Sequence, residues 1–225
     1  MAETSPLQWH AAPRPAPLVE PLWLEWATLA GLLLFAGWLL GARGVWALLI
    51  RSDPTGLTLV ISCLFIGATL WCGGRARVLQ QQRRLLGACS ETAHSWAATY
   101  QQALARGPHH ATTALDLLLE ATHGPHGGAW WVNGLQLKLG LLGKVIGFSM
   151  LALQIGQMQN FDPAQSQELL RSLTSGLGVA LLTTMVGLVG NVLLGLQLTR
   201  LDRYADSLVA DIQRRALAEP AAVAA

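Results

Sequence analysis

Four long apolar segments constrain this chain more than any other feature. They run from Leu22 to Leu40, Gly56 to Gly74, Leu135 to Met158 and Leu173 to Leu198. A bilayer core about 30 Å thick is crossed by roughly 20 mostly apolar helical residues, and each segment approaches or exceeds that length. The last exceeds it, so it should tilt or project from the membrane. Composition agrees: of 225 residues, 52% are hydrophobic and 12% charged, against about 25% charged in an ordinary soluble domain. The sequence predicts an all-α, polytopic helical membrane protein with about four transmembrane helices and long helices extending into the cytosol.

Arginine and lysine set the orientation. Arg75, Arg77, Arg83, Arg84 and Arg106 lie between spans two and three, with Lys138 at the entry to span three, and Arg200, Arg203, Arg214 and Arg215 follow span four. Both stretches belong in the cytosol by the positive-inside rule. The opposite side receives only Arg43 and Arg51 in the first loop and Arg171 in the second. In that first loop "RGVWALLIRSDP" is too short to span and reads as an interfacial helix. The N-terminus carries Glu3, Glu20 and Glu25 where a signal peptide would be basic, so it is expected to stay attached; four spans then place both termini in the cytosol, with Arg14 on the N-terminal side.

Five regions follow: a disordered N-terminal lead (1–21), a first transmembrane pair with a short interfacial loop (22–74), a cytosolic helical region (75–134), a second transmembrane pair (135–198) and a cytosolic C-terminal helix and tail (199–225). From Arg75 to Arg106 helix formers dominate, and Gly107-Pro108 ends the run. A short helix is expected from Ala111 to His123, closed by "THGPHGG". After span four, Leu201, Tyr204, Leu208 and Ile212 recur at helical spacing and need a partner face, in the same subunit or a neighbour; Asp211 and Arg215 are placed as an i,i+4 pair. The final "AEPAAVAA" reads as a frayed end.

Little here suggests an enzyme. There is no phosphate-binding glycine loop, no H-E-x-x-H and no nucleophile elbow. His123 and His126 are three apart, but the glycines and proline between them favour an irregular loop, and no set of metal ligands is completed. Cys63, Cys72 and Cys89 lack C-x-x-C spacing and read as reduced packing residues. No basic run with interleaved aromatics suggests nucleic acid. No metal and no cofactor is expected.

The small and polar residues of spans three and four are more informative. Gly140, Gly143 and Gly147 leave one helical face nearly bare, and Gly176, Ala180, Thr184, Gly187 and Asn191 form a similar stripe, flanked by Thr183 and Gly195. Such stripes let helices approach closely. Alternatively, the hydroxyls and the asparagine face an internal polar pathway, and spacing does not decide between the two.

The wording of these segments adds a further clue. "LKLGLLGKVIGF", followed after a short extracytoplasmic loop by "GLGVALLTTMVGLVGNVLL", resembles the MotA/TolQ/ExbB proton-channel family. That family's paired motifs read approximately G-L-L-G-T-V-x-G and A-L-x-T-T-x-x-G-L. The resemblance covers roughly Leu135 to Ile212. It implies a homopentamer in the bacterial cell inner membrane, surrounding two copies of an ExbD/TolR/MotB-like single-span protein whose aspartate carries the proton. Protons are then the coupling ion and the bilayer the other partner. Thr184 matches a channel-facing threonine, with Thr183 beside it and Asn191 further along the same span, and Gly140, Gly143 and Gly147 match close-packing glycines.

Lys144 departs from the pattern, standing where the family usually has threonine. One reading has its stem follow the helix while the ammonium snorkels toward the cytosolic boundary, since it lies about 9 Å beyond Lys138 at 1.5 Å per residue. The other places it in the pore wall, opposite the partner's carboxylate. A charge near the membrane centre costs at least about 2.5 to 3.5 kcal/mol and usually marks an ion route, so with the resemblance the pore is preferred. A lysine that blocks conduction would instead leave a non-conducting membrane scaffold of the same fold.

Overall fold

The structure is a computed structural model that describes residues 22–53, 55–88, 95–107, 110–156 and 163–223. Among them every regular element is a helix: α1 (Leu22–Ala42), α2 (Val45–Ser52), α3 (Leu57–Gly87), α4 (Trp96–Ala105), α5 (Ala111–Gly156) and α6 (Pro163–Val223). Four of these, α1, α3, α5 and α6, are long and apolar enough to cross a membrane. With 46 and 61 residues, α5 and α6 run about 70 and 90 Å at 1.5 Å per residue. Either therefore extends well beyond any hydrocarbon layer it crosses. The proposed N-terminal lead, 1–21, lies outside the described residues.

The short α2 carries the "VWALLIRS" segment expected to lie at an interface. The indole nitrogen of Trp46 donates to the Gly37 carbonyl at 2.9 Å, folding α2 back on the end of α1. Gly44 and Gly56 precede α2 and α3 in the left-handed region, at φ 74° and 69°. A side chain there would be strained, which is why both turns use glycine. Asp53 fixes the start of α3: its carboxylate accepts from the Thr55 amide at 3.0 Å, the Thr55 hydroxyl, and the Thr58 amide at 2.6 Å. Burial acts to raise this carboxyl, but the bonds from Thr55 and Thr58 outweigh it and hold Asp53 below the ordinary carboxylate value.

Three helices, α3, α5 and α6, form the body of the molecule, with α1 and α4 laid against it. Trp26 of α1 covers bare backbone at Gly73, where a methyl group would lie 2.3 Å from the ring, and its nitrogen donates to the Thr69 carbonyl at 3.2 Å. The core joins Cys72, Ala76 and Leu79 of α3 to Leu198, Leu201, Leu208 and Ile212 of α6, with Ala97 of α4 and Leu118 of α5. The apolar face after span four thus finds its partner in the same chain. Arg83 secures it, donating to Ser207 at 2.9 Å and Asp211 at 2.7 Å with its guanidinium over the Tyr204 ring.

Several sequence expectations change. "THGPHGG" closes no helix: α5 runs unbroken through Pro125. The boundaries at 134/135 and 198/199 consequently fall inside single helices. A proline removes the N–H that would bond the carbonyl four residues back, here Ala121. The Arg75 guanidinium of α3 replaces it, donating to Ala121 O and, at 3.0 Å, to Thr122 O. The run after Arg75 is α3 to Gly87 and then α4, with residues 89–94 outside the described set. Asp211 pairs with Arg83 and Arg214 rather than Arg215, which donates to the Leu86 carbonyl. The helix α6 also continues through "AEPAAV" to Val223.

Candidate functional site: the seam between α5 and α6

The stripes of α5 and α6 face each other. A methyl group at Gly140 would lie 3.1 Å from the Thr183 carbonyl and 3.3 Å from Gly187 Cα, and one at Gly147 would lie 3.0 Å from both the Ala180 side chain and the Gly176 carbonyl. At Gly143 the neighbour is the Thr183 side chain, whose Oγ1 would sit 2.5 Å from the added carbon. Glycines from each helix are therefore set where the other helix's backbone passes, which maximises dispersion contact in a pair too apolar to gain from hydrophobic exclusion in lipid.

Polar groups accompany this contact. Thr184 Oγ1 donates within α6 to the Ala180 carbonyl at 2.8 Å and lies 3.2 Å from the Gly140 carbonyl across the seam. Thr183 is fully buried, 3.4 Å from the Ala180 carbonyl. About two turns further along α6, Asn191 Nδ2 donates to the Asn133 carbonyl at 2.8 Å. The structure thus brings Thr183, Thr184, Asn191 and the five glycines Gly140, Gly143, Gly147, Gly176 and Gly187 to one seam. It does not bring Lys144 there. Lys144 is exposed, on the side of α5 that also exposes Leu141, Val145 and Phe148, and has no hydrogen-bond or ion-pair partner among the described residues.

Sequence reasoning missed two further groups. Asn133 and Gln136 precede Gly140 by seven and four residues and so extend its face, and Gln197 of α6 donates to Thr69 of α3 at 3.3 Å. All three are buried. The second group is a cluster at the same end of the body. His126 Nδ1 lies 2.6 Å from Asp202, Arg75 Nε donates to His126 Nε2 at 3.4 Å, and Trp130 donates to Asp202 at 2.9 Å. Arg75 as donor leaves Nδ1 as the protonated nitrogen facing Asp202. His123 meets Asp206 at 3.0 Å. Each histidine has its own carboxylate from α6, and no group of three potential metal ligands gathers among the described residues. The sequence signal was there, since His123 and His126 share a helical face, but only once the segment is helical.

No family model, curated protein or solved structure matches the chain.

Proposed function

We propose that this chain is a ring-forming subunit of a proton-driven motor in the bacterial inner membrane, coupling the proton gradient to work in the cell envelope. In this reading it is multi-pass, with α3, α5 and α6 projecting into the cytosol. Five copies surround two copies of an ExbD/TolR/MotB-like single-span partner. The chain holds no cofactor, performs no enzymatic chemistry, and supplies the wall while the partner's aspartate carries the proton.

One observation carries the reading. The two stretches that resemble the family's paired motifs lie against each other as a closely packed helix pair, with Gly140 and Gly143 set on Thr183 and Thr184. Lys144 has a place in it: exposed and without a partner among the described residues, it can meet a carboxylate brought by another protein. Pairing with the partner's aspartate then gates proton transfer, and the positive charge disfavours Na⁺.

A second reading, the non-conducting scaffold with Lys144 blocking the pore, is favoured by Thr183 being sealed inside the seam. Proton flux into sealed liposomes holding this protein and its single-span partner, under a pH gradient and a membrane potential, separates the two. Partner-dependent flux in the wild type, altered in Lys144→Thr, supports the motor with lysine in the path. Flux only in the variant means that Lys144 holds the resting channel shut. Absence of flux from both intact complexes supports the scaffold.

A further inference from the structure

Gln136 lies between α3, α5 and α6 with no exposed surface, and neither its Oε1 nor its Nε2 has a hydrogen-bond partner among the described residues. Its amide points at bare backbone: Oε1 would sit 2.7 Å from a methyl group at Gly190, with the Phe65 ring alongside at 3.7 Å from the same point. Three residues earlier on the same face, Asn133 is 6% exposed and its Oδ1 is unpaired. Gln197, 4% exposed, spends its Nε2 on Thr69 and leaves Oε1 unpaired. Four polar atoms on three buried side chains are thus without a partner, and each is costly if nothing meets it.

Three escapes fail. Rotating the amides does not help: at Gln136 both ends are orphaned, and at Gln197 a flip exchanges an unpaired oxygen for an unpaired nitrogen. A neighbouring copy or a partner helix cannot reach side chains this deeply buried. Lipid offers no donors in its hydrocarbon region. A bare cation would suit the three oxygens but not the Nε2 donor, and among the described residues no carboxylate is hydrogen-bonded to the three amides. Water both donates and accepts, and buried waters typically make about three hydrogen bonds to such groups. We infer that the buried amides of Gln136, Asn133 and Gln197 are met by ordered waters where α3, α5 and α6 pack, beyond the Gly140–Thr184 contact of the seam. This hydration site does not depend on whether the chain conducts protons.

Radiolytic hydroxyl-radical labelling of the full-length protein in lipid nanodiscs, in ¹⁸O-water, tests it. Bound water beside the Gln136 amide should oxidise Phe65 with slowly exchanging label in the wild type. That label should be lost in Gln136→Met, which keeps a long side chain and removes both polar atoms. Equal labelling of the two proteins, or none in the wild type, would overturn the proposal. Thermal melting in sodium against choline chloride adds a second readout: equal midpoints are expected, and stabilisation by sodium would replace water by a cation. Should Gln136→Met not fold, experimental density for the wild type at a resolution that shows waters decides the matter, through peaks within hydrogen-bond reach of Gln136 or a direct protein partner in their place.

Discussion

At Gly187 an added methyl group would lie 2.8 Å from the Gln136 carbonyl and 3.0 Å from Gly140 Cα. Both neighbours are backbone, so relief requires the two helices to part along the seam. Gly187→Ala should therefore cost about 1–3 kcal/mol, the usual range for overpacking. Gly127, in the interior of α5 with nothing within 4 Å of an added Cβ, should behave oppositely: Gly127→Ala removes backbone freedom from the unfolded chain and should stabilise by about 0.5–1 kcal/mol. Unfolding midpoints in lipid–detergent micelles read both signs, and equal shifts would mean that the seam does not limit stability. Asp53 gives a prediction in pH. Its carboxyl is held below its ordinary value by the bonds from Thr55 and Thr58, against the opposing effect of burial. The folded state thus binds the proton less readily than the unfolded one, and the stabilisation is complete above the unfolded value of about 3.9 and lost as pH falls through the folded value. Wild type should lose more stability than Asp53→Asn on acidification from pH 5 to 3. At neutral pH the variant should be less stable by about 1 kcal/mol, as for other lost helix-start bonds.

The longer elements show what was legible in the sequence and what was not. The four long apolar helices and the glycine faces could be read from it because apolar length and three- and four-residue spacing are local properties. The continuity of α5 could not, because the group that preserves it belongs to α3. "GPHGG" carries a proline and three glycines, each a reason to end a helix. The local rules did not include an arginine arriving from elsewhere to bond the carbonyl that Pro125 leaves unpaired. This substitution is testable as a double-mutant cycle. Arg75→Met should destabilise the wild type by about 1–3 kcal/mol through the orphaned carbonyls. The same change should cost less in Pro125→Ala, where the residue-125 amide can again bond Ala121 O. The remaining cost reports the contacts of Arg75 with His126 and Trp96. Additive losses would mean that Arg75 does not stand in for the proline. Asn133, Gln136 and Gln197 were not legible for a related reason: they lie outside the two motif stretches, and their burial is set by three helices packing together rather than by local spacing.

On the scale of the whole molecule, two kinds of surface are joined end to end. Around Leu79, Leu201, Leu208 and Ile212 the helices bury their apolar faces on one another, with Arg83, Asp211 and Arg215 at the margin. Toward the other end α1, α3, α5 and α6 leave Leu34, Trp38, Leu59, Leu70, Val145, Leu181 and Val192 exposed. Such an apolar girdle is too extensive for a monomer in water, and it coincides with the stretches that are poorest in charge. A bilayer around the girdle would leave the arginine-rich end in one aqueous compartment and the Arg43–Asp53 turn in the other. Single cysteines introduced into a cysteine-free background test this arrangement. Arg84→Cys and Arg214→Cys should resist a membrane-impermeant maleimide added outside intact spheroplasts and react once the membrane is opened, whereas Arg43→Cys should react at once. The reverse pattern would keep the four crossings and invert the chain, placing its basic end outside against the positive-inside rule. Labelling of all three from one side would show that the helices between them do not cross an even and odd number of times as required. In that case a motor driven by a gradient between the two ends of this molecule could not operate.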